Sequence, residues 1–128
     1  MSIFNRAERQ TTDSEQSKIW NPISGTENID AILRASSEKP QIIYKHSHRC
    51  SVCILAKEEL EGIADQVLDS TDLYMINVIH QRDLSNAIAS TFDVRHESPQ
   101  VIIIKDGEVA WKGSHWAIKG KDILNQLS

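Results

Sequence analysis

Two residues of this 128-residue chain have a type and spacing that imply chemistry directly: Cys50 and Cys53, its only cysteines. Two cysteines scattered at random over this length fall three apart about once in 65 placements, so the C-x-x-C pair argues for a shared task. Such a pair can shuttle electrons through a reversible disulfide, or lend two thiolates to a metal ion. No apolar stretch follows Met1, which gives an expectation of the reducing cytoplasm, where structural disulfides are rare. His46, Ser47, His48 and Arg49 stand immediately before Cys50 and are candidates to position a substrate there.

Thiol chemistry of this kind needs a strand that ends, and a helix that starts, at the cysteine. Gln41 to Lys45 is short, β-branched and aromatic, hence a strand. From Cys50 the period changes. Val52, Ala56, Leu60, Ile63 and Val67 share one helical face, with Lys57, Glu58, Glu59 and Glu61 on the other, the glutamates reading as a solvated face. A helix N-terminus carries about half a positive charge and unpaired amides, which can draw a thiol from about 8.5 to somewhere between 3.5 and 7.5. Cys50 is therefore the expected nucleophile, and His48 or Arg49 adds to the effect if turned inward. Cys53 lies on the same helical face. Side chains so spaced have β-carbons about 5–6 Å apart against roughly 3.8 Å in a disulfide, so a small adjustment of the first turn joins them and makes Cys53 the candidate resolving thiol.

The remaining elements follow from periodicity. Ser24 and Glu27 fit a capping box before Ile29, Ile32 and Leu33, a helix to about Ser36 that Pro40 closes off. Leu73 to Ile79 reads as a strand, and Leu84, Ile88 and Phe92 as a helical stripe with Asp83 as its cap. Gln100 to Lys105 is nearly all apolar, as in a strand buried on both faces, and Asp106-Gly107 turns it into Glu108 to Lys112. Ile118, Ile123, Leu124 and Leu127 suggest a closing helix. The first eighteen residues hold only Ile3 and Phe4 as large apolar groups and read as a flexible tail, leaving residues 19–128 as one domain. Strands separated by helices imply parallel crossovers, and the hairpin adds an antiparallel edge. The fold expected is thus a single α/β domain of thioredoxin-like plan, a mixed central sheet with helices on both faces. In that plan the proline opening the buried strand is cis and stands beside the cysteine loop, so Ser98-Pro99 is expected to be cis and to face substrate.

Composition excludes several classes. With 14 basic and 18 acidic side chains the net charge is −4, and no Lys/Arg cluster offers a footprint for nucleic acid. No apolar run approaches the roughly 18 residues that span a bilayer. Two rivals to the redox reading stand: zinc held by His46, His48, Cys50 and Cys53, which crowds four ligands into one loop with no second arm, and a docking module without catalysis, which leaves Cys50 idle. No metal is expected. His115 and Trp116 are either a packed histidine and a core indole or part of the site lining. His80 and His96 have no partner visible in sequence.

Four blocks in order, K-H-S-H-R-C at Lys45 to Cys50, L-S-N-A-I-A at Leu84 to Ala89, V-R-H-E-S-P-Q at Val94 to Gln100 and S-H-W-A-I at Ser114 to Ile118, resemble the monothiol bacilliredoxin (YtxJ-like) family from about Asn21 onward. The resemblance implies a cytoplasmic enzyme that takes bacillithiol off protein mixed disulfides. Its partners are then bacillithiolated proteins and a low-molecular-weight thiol. It needs no cofactor beyond bacillithiol as thiol co-substrate, and acts as a monomer. The family's C-P-I-S-type motif aligns with Cys50, Ser51, Val52 and Cys53, so serine replaces its proline and cysteine its last serine. The second change matters most, because Cys53 is able to attack internally where a monothiol enzyme waits for an external thiol.

Overall fold

The computed structural model describes residues 19–127, so the expected flexible tail lies outside the described residues. The chain runs β1 (Trp20–Asn21), α1 (Glu27–Ala35), β2 (Gln41–His46), α2 (Ser51–Val67), β3 (Asp72–Asn77), α3 (Arg82–Phe92), β4 (Gln100–Lys105), β5 (Glu108–Ser114), a 3-10 turn (His115–Ala117) and α4 (Gly120–Leu127). The strands form one sheet in the order β1-β3-β2-β4-β5. β1 and β2 pair parallel with β3, while β4 pairs antiparallel with β2 and β5. This is the mixed α/β sheet that the order of elements predicts.

Side-chain alternation explains why helices must cover both faces. Ile42 and Tyr44 of β2 and Val101 and Ile103 of β4 join Ala56, Leu60 and Ile63 of α2 and Ile123 of α4 in one cluster. Ile43, Ile102 and Ile104 point the other way, onto Ile29 and Ile32 of α1 and Leu84, Ile88 and Phe92 of α3. Each fully buried isoleucine contributes about 2–3 kcal/mol of transfer free energy, so the two clusters hold the sheet from both sides. The approach of α4 to α2 is close: a Cβ at Gly120 would stand 2.7 Å from Ile63 Cγ2 and 3.1 Å from the Glu59 carbonyl oxygen. The hairpin turn has Asp106 at φ 53° and Gly107 at φ 79°, and Ser36 holds it by accepting both their amides.

Several local readings are corrected. The α1 start is not a Ser24–Glu27 capping box. Asn28 Oδ1 accepts the amides of Ser24 and Gly25 at 3.0 and 3.1 Å, and Thr26 occupies the N-cap position. α3 begins at Arg82, so Asp83 lies inside its first turn and Gln81 precedes it. β3 stops at Asn77 instead of Ile79, since Asn77 Oδ1 accepts the amides of Ile79 and His80 and curls the chain away from the sheet. The glutamates of α2 are not simply a solvated face: Glu59 accepts the Gly120 amide, and Glu61 accepts the Trp20 indole N–H and pairs with Lys57.

Candidate active site

Cys50 is the N-cap residue of α2, with φ −115° and ψ 121°, and is partly exposed. The loop before it closes as a turn in which the Cys50 amide donates to Ser47 O at 3.2 Å and the Arg49 amide to Ser47 Oγ at 3.3 Å. No side chain makes a close capping bond to this helix start. Its first amides are turned instead toward sulfur. The N–H of Cys53, then the Cys53 thiol, then the N–H of Val52 favour the charged form of Cys50 and pull its pKa below the usual thiol range against a small cost of burial. His48 and Arg49 are exposed, and the main causes that favour the thiolate are the helix amides and Cys53.

Cys53 is fully buried and free. Burial pushes its thiol up, opposed by Ser98 and by the Ser47 amide, while the charge and hydrogen bond of Cys50 push it further in the same direction as burial. Its sulfur lies 3.5 Å from Ser98 Oγ, and the Ser98-Pro99 bond is cis. The structure therefore brings Ser98 to Cys53, with the cis-linked Pro99 next in sequence.

Beneath the pair runs a network that sequence alone did not disclose. Tyr44 Oη lies 2.7 Å from the Cys53 carbonyl and 2.9 Å from His46 Nδ1. A carbonyl can only accept, so the single phenol proton goes to Cys53 and His46 Nδ1 donates to Tyr44, which leaves His46 Nε2 as the acceptor. Burial, then Lys57 and His48, hold the His46 pKa down, consistent with the neutral ring. Burial pushes the Tyr44 hydroxyl pKa up, so it remains a donor. Trp20 packs on Tyr44 with ring centres 5.9 Å apart and ties β1 to α2 through Glu61.

The other predicted residues scatter around the rim. His48 stacks on His80 at 5.9 Å and lies 3.5 Å from Asn77 Nδ2, and Arg49 faces solvent. The His115 amide donates to Pro99 O at 3.0 Å, and its ring faces Glu97 at 3.3 Å, where Ser114 Oγ also donates. Trp116 is 64% exposed, which removes the core-indole alternative. With His115, Val52, Leu55 and Ile118 it lines a groove of about 130 Å³ beside the start of α2. Among the described residues no three His, Cys, Asp or Glu side chains are grouped to hold a metal ion, so the loop does not gather His46 and His48 with both cysteines as the zinc rival requires. No helix among them is long and apolar enough to cross a membrane.

A thiolate-favouring cysteine at a strand-to-helix junction, a buried partner three residues on and, touching that partner, the serine that precedes a cis-proline define the class of thioredoxin-fold thiol-disulfide oxidoreductases. The chain matches a thioredoxin-fold protein assigned as an oxidoreductase at 25% identity and a TM-score of 0.72, over 83% of this chain and 91% of that one. Thioredoxin O2 from Arabidopsis thaliana in its oxidised state matches at 18% identity, TM-score 0.65, covering 82% and 90%. The thioredoxin of Malassezia sympodialis, Mala s 13, matches at 18% and 0.63, covering 82% and 84%. A family model, monothiol bacilliredoxin BrxC, matches residues 21–123, and the chain belongs to that family.

Proposed function

We propose that this protein reduces mixed disulfides between bacillithiol and protein cysteines in the cytoplasm, with Cys50 as nucleophile and Cys53 as resolving thiol. The observation that carries the reading is the opposite bias of two adjacent sulfurs, Cys50 held toward thiolate and Cys53 held as a buried thiol. In the first step the Cys50 thiolate attacks the bacillithiol sulfur. A Cys50–bacillithiol disulfide forms, and the client cysteine leaves as its thiolate. That step removes the negative charge from Cys50 and with it one of the causes that raise Cys53. Cys53 then loses its proton to solvent and attacks Cys50 Sγ. Bacillithiol leaves as a thiolate, and the Cys50–Cys53 disulfide waits for two electrons from a thiol reductant. His46, Ser47, His48 and Arg49 on one side and Ser98, Pro99, His115 and Trp116 on the other frame the approach of the client, and the protein works as a monomer.

Mixing a bacillithiol-modified protein with wild type, Cys50→Ser and Cys53→Ser, then weighing the products, tests this. The expected masses are an oxidised, unmodified wild type, an inert Cys50→Ser, and a retained bacillithiol adduct on Cys53→Ser alone. Equal turnover by wild type and Cys53→Ser through repeated cycles would remove Cys53 from the route and leave a one-thiol enzyme. Thiol alkylation at pH 6 gives an independent check: Cys50 is expected to label far faster than a free cysteine, and a rate equal to that of free cysteine would sink the activated-thiolate reading.

A further inference from the structure

Lys45 is the next inward-facing residue of β2 after Ile43, and its side chain is entirely buried. Its ammonium donates to the Ser85 carbonyl at 3.0 Å and to His96 Nδ1 at 3.2 Å, and no carboxylate pairs with it among the described residues. A buried cation served only by neutral acceptors is costly, and chains usually give it a counter-ion. Across the sheet its β4 partner is Gln100, 2% exposed, whose Oε1 has no hydrogen-bond partner. With two of its three N–H groups placed on neutral acceptors and no carboxylate paired with it, the Lys45 charge has no counter-ion within this corner of the sheet.

The corner opens outward through two of its own members. His96 and Ser85 line a cavity of about 380 Å³ together with Arg82, Asn86, Val78 and Ile79. Because Nδ1 of His96 receives the Lys45 proton, the neutral ring carries its own proton on Nε2. His96 is thereby a donor polarised by a cation behind it, and burial, Lys45 and Arg82 keep the ring neutral. The nearest acidic side chain in sequence, Glu97, is engaged by Ser114 and His115 on the other side of the strand end. The cavity also sits at the rim that holds the cysteines: the Val78 amide donates to His46 O, and His96 is two residues before Ser98.

We infer that the cavity walled by Arg82, Ser85 and His96, backed by the buried Lys45, is a subsite for a carboxylate carried by the low-molecular-weight thiol whose sulfur is exchanged at Cys50. The inference rests on the reading that such a thiol is the co-substrate. Of the residues lining it, Arg82 supplies a guanidinium and His96 a ring N–H. Anchoring the thiol there holds its disulfide along the Ser98-Pro99 edge and limits which of the two sulfurs meets Cys50.

The test compares one reporter peptide carrying its single cysteine as a mixed disulfide either with mercaptosuccinate, which bears two carboxylates, or with mercaptoethanol, which bears none. The quantity read is the ratio of kcat/KM for the two, so that intrinsic thiol reactivity cancels between variants. Arg82→Ala and His96→Ala are each expected to lower the wild-type ratio about tenfold, the equivalent of one charge-assisted contact of about 1.4 kcal/mol. Lys105→Ala, a cation at the far end of β4, is expected to keep the wild-type ratio. An unchanged ratio in both subsite variants overturns the proposal. So does a ratio that follows acidic residues placed in the peptide and ignores the thiol. Titration with succinate, followed by the His96 ring resonances in wild type and Arg82→Ala, separates this from the activity: saturable shifts in wild type only, with no turnover of a bacillithiol disulfide, would keep the subsite and discard the assigned reaction. Turnover of bacillithiol disulfide with neither succinate shifts nor a ratio change would do the reverse.

Discussion

The two faces of the sheet treat polar groups at the end of β2 in opposite ways, although Tyr44, Lys45 and His46 are consecutive. On the α2 face Tyr44 and His46 form a closed chain of neutral hydrogen bonds that ends on the Cys53 carbonyl. On the α3 face Lys45 brings a full charge inside and meets only Ser85 and His96. The histidines report the contrast, since His46 donates through Nδ1 where His96 accepts through it. The closed network ties the first turn of the cysteine helix to β2, whereas the open one leaves a cation without a counter-ion and Gln100 Oε1 without a partner. Satisfied buried polar groups specify geometry, and unsatisfied ones point to a ligand or a cost.

The sharpest break in this comparison is at the cysteines themselves. Cys50→Ser is expected to abolish mixed-disulfide turnover, read as the loss of thiol release from a bacillithiolated protein, because the other cysteine, Cys53, is buried. On the opposite face, burial holds Lys45 down to about 8 from its ordinary 10.5. The unfolded chain then binds more protons than the folded one above pH 8, so stability rises with pH through that window and the burden of the charge is fully present below it. The whole effect is at most about 3 kcal/mol at 1.36 kcal/mol per pH unit. Denaturant midpoints between pH 8 and 9.5, below the ionisation of free tyrosine, should rise in wild type relative to Lys45→Met. Parallel curves would show that Lys45 is neutral or compensated.

Tyr44→Phe opens the closed face. It strips His46 Nδ1 and the Cys53 carbonyl of a shared partner, and a loss of about 2 kcal/mol in unfolding free energy is expected, the range for leaving buried groups unpaired. A loss well under half of that would mean that water replaces the hydroxyl and that the network is not sealed. The smallest effect is expected from Trp20→Phe, which keeps an aromatic ring on Tyr44 but removes the donor to Glu61, at about 1 kcal/mol. Measured in the Tyr44→Phe background, that loss should shrink, since the two changes act on one packed unit; strict additivity would separate β1 from the network.

What could be read from the chain alone was whatever depends on near neighbours. The C-x-x-C spacing, the strand-to-helix change at Cys50, the buried run at Gln100 to Lys105 and the Asp106-Gly107 turn each reflect periodicity or backbone preference within a few residues, and each is present in the structure. The element order then sufficed for the sheet's mixed pairing. Local patterns failed where two local solutions compete, as at α1, where Asn28 and not the Ser24–Glu27 pair takes the free amides. Tertiary structure alone decided the surroundings of each titratable group. Lys45 meets His96 across 51 positions, Cys53 meets Ser98 across 45 and Trp20 meets Glu61 across 41. A lysine and a histidine carry no sequence mark of being partners, because desolvation and hydrogen-bond supply are properties of the space a fold encloses and not of the order in which residues enter it.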